Sequence, residues 1–199
     1  MPPPASRPHV SGRSGSPVVP SAARGRHPGR RALTALLVGV LVLLLVRTWV
    51  AEPLRIPSDS MAPTLQSGEH VIAEKLSVHV GSWRRGEIVV FASPVDQALL
   101  AKRIVGLAGD RVAIRDGRRF VNGHRLDEPY TDPDAIDSVY YGPVRVPADE
   151  VLVMGDNRAN SVDSRTFGTV PTSQIQGRVA AVVWPPRQAH LIDYQGGLP

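Results

Sequence analysis

Two serines one residue apart, Ser58 and Ser60, stand in the segment Pro57-Ser58-Asp59-Ser60-Met61-Ala62-Pro63-Thr64-Leu65. Flanking prolines fix φ locally and disfavour helical continuation, so the segment is expected to be stiff and extended, with residues two apart facing one way. A nucleophile and a helper hydroxyl can be presented together in that manner. Ser and Asp beside Pro are equally the chemistry of an ordinary turn.

The second candidate is a lysine. Of 23 basic residues only Lys75 and Lys102 are lysine. Arginine stays protonated in proteins, whereas a desolvated lysine can lose its proton and act as a base. Lys75 follows a polar-ended strand and reads as structural. Lys102 lies in Leu99-Leu100-Ala101-Lys102-Arg103-Ile104-Val105-Gly106, among apolar residues on a predicted strand. Burial there would lower its pKa, as a general base requires; a lysine that guards a strand edge against aggregation is the competing use. The third candidate is the polar run Gly155 to Gly168, following the apolar strand Val151 to Met154. Asp156, Asp163 and Arg165 can orient neighbouring groups there, and Ser161 can hydrogen-bond a neutral amine. A solvated loop has the same composition.

These groups need a scaffold. Short β-type runs are predicted at His70 to Glu74, Glu87 to Phe91, Leu99 to Gly106, Arg111 to Ile114, Arg119 to Val121, Glu150 to Met154 and Arg178 to Trp184. Asn122-Gly123 is a hairpin signal before His124 to Leu126. Pro129 to Pro143 reads as a long loop and Thr172 to Ile175 as a helical turn. The class is all-β, a partial barrel or folded antiparallel sheets.

Ahead of this lies a different regime. Residues 1 to 31 hold six arginines and no acid, with much Pro, Ser and Gly, and read as a disordered basic tail. The basicity of the chain therefore resides in the tail, which argues against a nucleic-acid surface. The uncharged run Ala32 to Val46, extended to Ala51, reaches the roughly 20 residues that span a bilayer. A cleavable leader would place Trp49 at −3 of a cut after Ala51, where a small residue is needed, so the run reads as a signal anchor. The positive-inside rule puts the tail in the cytoplasm and residues 52 to 199 outside, as an extracytoplasmic β domain on a single-pass plasma-membrane protein. There is no cysteine, and the histidine spacing gives no zinc pattern, so neither metal nor cofactor is expected.

Together these segments resemble the type I signal peptidases, the membrane-bound serine proteases of protein export. The resemblance rests on Pro57-Ser58-Asp59-Ser60-Met61-Ala62-Pro63-Thr64-Leu65 behind the anchor, then Gly86-Glu87-Ile88-Val89-Val90-Phe91, then Lys102-Arg103-Ile104-Val105-Gly106-Leu107-Ala108-Gly109-Asp110. It is completed by Gly155-Asp156-Asn157-Arg158 with Asn160-Ser161, Asp163-Ser164-Arg165 and Gly168. Ala108 and Ala159 depart from the common pattern at positions without a chemical role. The short interval before the last box implies a compact member.

The resemblance implies Ser60 as nucleophile, Lys102 as general base, and Ser58 Oγ with the Ser60 N–H as oxyanion hole. It implies Ser161 as the group that fixes the Lys102 amine, with Asp156, Asp163 and Arg165 stiffening the floor. Signal peptides of exported preproteins would bind as an added strand, with Leu54, Ile56, Pro57, Met61, Leu65, Leu100 and Ala101 around shallow pockets that admit small residues at −1 and −3. The phospholipid bilayer is the other partner. Two alternatives stay open: a self-cleaving repressor-type peptidase with the same dyad, and a non-catalytic tethered module that binds extended peptides.

Overall fold

The computed structural model describes residues 28–132 and 140–194. The expected disordered tail lies outside the described residues up to position 27. The chain divides into a unit ending at Gly39 and a unit from Val40 onward that contains every strand described below.

Helix α1, Pro28–Trp49, begins ahead of the apolar run. Proline suits the first turn, where a missing N–H costs no hydrogen bond. The window Ala32–Trp49 has a mean hydropathy of 2.2, and its side chains are exposed, so the helix is long and apolar enough to cross a membrane. It stops one residue before strand β1, Ala51–Arg55, so Ala51 belongs to the sheet and not to the anchor. The Val50 carbonyl still accepts from Lys75 N at 2.8 Å.

The remaining strands are β2 His70–Glu74, β3 Ile88–Ala92, β4 Leu99–Gly106, β5 Arg111–Arg115, β6 Arg118–Val121, β7 His124–Arg125, β8 Tyr141–Arg145, β9 Glu150–Met154, β10 Val170–Pro171, β11 Ile175–Trp184 and β12 His190–Leu191. Short helices are α2, Leu76–Val80, and α3, Ser164–Phe167. All pairings are antiparallel. The larger sheet runs β1-β2-β11-β3-β4-β9-β10 with β12 beside β11, and the smaller runs β7-β6-β5-β8. The all-β expectation holds, including the 3-10 turn at Thr172–Gln174.

The predicted loop from Pro129 to Pro143 needs correction at its end, where Tyr141–Arg145 is β8; residues 133–139 of that loop lie outside the described residues. Pro143 has no N–H to donate, but β8 closes the small sheet and among the described residues pairs only with β5, a position that tolerates proline.

Alternation distributes the core between faces. Ile88 and Val90 join Ile56, Met61, Leu65, Val71 and Ala101 in one cluster. Val89 and Phe91 turn the other way, to Ile104, Val151, Val153 and Ile175. A third cluster, with Val105, Leu152 and Met154 against Val112, Ile114 and Val121, seats the small sheet on β4 and β9. Gly106 marks that seam: a Cβ there would come within 2.6 Å of Val112 Cγ2.

Candidate active site

Ser58 keeps extended backbone, with φ −148° and ψ 164°, but Asp59–Met61 close into one 3-10 turn. The expected extended run from Pro57 is therefore interrupted at Asp59. Asp59 sits in the first position of the turn and its carboxylate accepts from Ser67 N at 3.0 Å, which fastens the turn to the loop before β2. The serines nevertheless converge. Ser58 Oγ donates to Ser60 Oγ at 3.2 Å. Asn157 holds the turn from the opposite side: its N–H donates to the Ser60 carbonyl at 3.1 Å and its Nδ2 to the Asp59 carbonyl at 3.2 Å.

Lys102 reaches this turn from β4. Its Nζ donates to Ser60 Oγ at 2.5 Å, and the residue is only 2% exposed. Burial pushes its pKa down from 10.5 to about 8, against the opposing pull of Asp163 and Asp156 and with help from Arg165. Lys75 differs in every respect. It is partly exposed and paired with Glu52 at 2.9 Å.

The polar run supplies the floor. Asp156 is fully buried in the fork of Arg103, with Nε to Oδ1 at 2.9 Å and Nη2 to Oδ2 at 2.6 Å, and it accepts from Thr64 Oγ1 at 2.6 Å. Asp163 caps α3 through Arg165 N at 3.2 Å, accepts from Gly155 N at 3.1 Å and pairs with Arg165 Nε at 2.9 Å. Satisfied carboxylates of this kind brace a loop without being free to react.

Ser161 is the exception. Its Oγ is buried without a hydrogen-bond partner, so the expected bond to Lys102 is not made in this structure. The hydroxyl packs beside Gly155, where an added Cβ would collide with Ser161 and with the Ser60 carbonyl.

Residues expected around substrate fall on two faces of β4. Leu100 shares the Lys102 face and lines an open cavity of about 440 Å³ with Ser58, Ser60 and Lys102. Ala101 turns the other way and joins Ile56, Met61 and Leu65 in the core cluster, with Leu54 packed against it. Leu65 is 0% exposed, and Pro57 is exposed at the end of the row. Ser93, Val95, Asp96, Asn160 and Val162 complete the cavity and were not singled out from the sequence, nor were Arg103, Thr64 and Asn157. Arg103 did carry a signal, being a guanidinium inside an apolar strand, which has to find a buried partner.

One further feature bears on binding. β9 pairs with β4 only at Arg103, Ile104 and Gly106, so Leu99 to Lys102 have a ladder partner only on the β3 side among the described residues.

A hydroxyl hydrogen-bonded to a buried amine of lowered pKa, set beside an open cavity on antiparallel sheets, is an arrangement that can support nucleophilic catalysis without a histidine. The chain belongs to the signal peptidase family, peptidase S26, whose model matches residues 29–184. It is 46% identical over 168 residues to a probable signal peptidase I-2 of Synechocystis sp., covering 79% of this chain and 75% of the relative. It is 39% identical over 181 residues to a signal peptidase I of Leptolyngbya laminosa, covering 85% and 87% respectively. A crystal structure of a signal peptidase I from Enterococcus faecalis V583 superposes with a TM-score of 0.44 at 30% identity, over 49% of this chain and 96% of that one. The chain is a membrane-anchored serine peptidase that removes signal peptides.

Proposed function

We propose that Ser60 is the nucleophile and Lys102 the general base of this peptidase, and that it cuts preproteins after small residues at −1 and −3. The observation that carries the reading is the Lys102 Nζ to Ser60 Oγ hydrogen bond at 2.5 Å, made by an amine buried enough to shed its proton near neutrality. Neutral Lys102 takes the Ser60 proton as Oγ attacks the scissile carbonyl. The resulting ammonium gives that proton to the departing amine, and water then hydrolyses the acyl-enzyme with Lys102 again as base.

Ser58 Oγ, 3.2 Å from Ser60 Oγ, is positioned to turn from that partner toward the oxyanion, alongside the Ser60 N–H. Ser161, with its unpaired buried Oγ, is the group proposed to hold the Lys102 amine once Ser60 has given up its hydrogen. Asp156, Asp163 and Arg165 keep the floor rigid.

Substrate docks extended along the unpaired side of Leu99 to Lys102, with the segment before Ser60 on its other flank. Its small side chains face Leu54, Ile56, Met61, Leu65 and Ala101. Those residues are packed into the core behind the site, which supports the reading that only small side chains are admitted there. Pro57 and Leu100 border the same groove. The arginine-rich residues up to 31 place the N-terminus in the cytoplasm and the β domain across the plasma membrane, where signal peptides emerge. The partners are those peptides and the phospholipid bilayer.

The test is intact-mass analysis of the full chain, in detergent, after incubation with a preprotein. The parent releases mature protein and the Ser60→Ala variant leaves the precursor whole; cleavage by that variant refutes the reading.

A further inference from the structure

One buried cluster of charge plays no part in the chemistry described so far. It centres on Glu128-Pro129-Tyr130, the segment that leaves the small sheet after β7. Glu128 is gripped by two guanidiniums, those of Arg119 on β6 and of Arg158 in the polar run, the latter at 3.0 and 3.2 Å. The Tyr130 hydroxyl donates to Glu128 at 2.9 Å. Its ring lies against the Arg103 guanidinium, 3.8 Å from centroid to Cζ. Arg103, Arg119 and Arg158 are each no more than 4% exposed. Taking so many charges out of water is weak evidence for stability, which directs attention to what the cluster holds.

Two of the three, Arg103 and Arg158, lead inward toward Ser60 and Lys102. Arg103 forks Asp156 and donates through Nη1 to the Gly86 carbonyl at 2.7 Å. Arg158 Nε donates to the Gly155 carbonyl at 2.6 Å, and Gly155 is the residue against which Ser161 and the Ser60 carbonyl pack. Alternation on β4 puts Arg103, the residue under the Tyr130 ring, on the face opposite Lys102.

We propose that Glu128 and Tyr130 are positioning residues for proteolysis: the Tyr130 ring clamps Arg103 flat onto Asp156, and the Glu128 carboxylate holds Arg158 on Gly155, so that the small sheet sets the placement and charge environment of Ser60 and Lys102. This rests on the reading of Ser60 and Lys102 as the dyad.

The electrostatic consequence has a definite sign. The charges that face Lys102 are Asp163, Asp156 and Arg165. The two carboxylates favour the protonated amine, and the Arg103 fork offsets one of them. An aromatic face over a desolvated guanidinium favours that paired geometry. Without the ring, water reaches Arg103, its hold on Asp156 weakens, and Asp156 acts on Lys102 as a more nearly complete negative charge. The amine then keeps its proton to higher pH.

The experiment measures kcat/KM of the full chain in detergent micelles, from about pH 6 to about pH 10, on a peptide with alanine at −3 and −1. Tyr130→Leu moves the acid limb up by about one pH unit and lowers kcat/KM near neutrality roughly tenfold, chiefly through kcat. Tyr130→Phe, which keeps the ring, leaves the limb where the parent has it. A Tyr130→Leu enzyme whose limb coincides with the parent's overturns the proposal whatever its Tm, and so does a Tyr130→Phe enzyme shifted as far as the leucine variant. If Tyr130→Leu does not fold, Tyr130→Met refills the volume without a π face and is judged by the same criterion. A parent with no acid limb, or a Ser60→Ala enzyme that still cleaves, refutes the dyad instead, which keeps the two failures distinct.

Discussion

Lys102 Nζ lies 2.5 Å from Ser60 Oγ, and the partners arrive from dissimilar supports: Lys102 from an eight-residue strand, Ser60 from a single helical turn. The strand is fixed by its ladder to β3. The turn is fixed by Asn157 and by Asp59, through bonds to backbone that no side-chain motion of Ser60 disturbs. The hydroxyl can therefore exchange partners while its Cα stays in place.

If the amine is the base, its protonation governs the rate. With a pKa of about 8, about a tenth of Lys102 is neutral at pH 7. The expected outcome is a kcat/KM that rises about tenfold per pH unit below that value and levels off above it, read from initial rates on a peptide substrate. Lys102→Arg is as inactive as Lys102→Ala at every pH, because a guanidinium does not give up its proton in this range.

The same group makes the fold pH-dependent. The unfolded chain holds the lysine proton up to about 10.5, the folded chain only to about 8, so folded Lys102 binds fewer protons between these values and stability rises with pH across that window. Below it the cost of the buried charge is fully present, on the order of 3 kcal/mol. Lys102→Met is therefore expected to raise Tm at pH 6 and to lose that gain as pH climbs through 8 toward 10.5, measured by thermal melts at fixed ionic strength.

In the proposed mechanism Ser58→Ala removes one of the two donors to the developing oxyanion. The expected loss is on the order of a hundredfold in kcat with little change in KM. Steady-state kinetics on a peptide decide it, since a rise in KM alone assigns Ser58 to substrate binding.

Gly155→Ala forces a methyl into the Ser60 carbonyl and Ser161. Overpacking at this site is expected to cost about 1–3 kcal/mol in chemical denaturation. Activity should fall further than stability explains, at temperatures where the variant is still folded, because the displaced group is the carbonyl of Ser60, the proposed nucleophile.

Much of the scaffold was legible because its signals are local. The boundaries of β2, β4 and β9 follow from apolar runs bounded by turn residues, and the scarcity of lysine singled out Lys102 before any distance was known. β8 was hidden because Gly142-Pro143 is punctuation in most chains, and only its place at the rim of the small sheet permits it there. Arg103, Glu128 and Tyr130 were missed for a related reason: each acquires its role from partners brought together across two sheets, and no window of sequence contains them all. The cavity wall at Val95 and Val162 comes from loops whose residues carry no periodicity.

The half-paired strand β4 has a consequence for whatever lies along it. Carbonyls and amides from Leu99 to Lys102 that lack a neighbouring strand among the described residues are left to water, or to an extended backbone whose own donors and acceptors are uncommitted. A coiled helix has already spent them on itself. In the proposed docking mode, the stretch of guest beside the bond to be cut is therefore extended. With a guest docked in that way, the ladder would act as a conformational filter, passing over folded protein of any sequence and accepting chain that has yet to choose a structure.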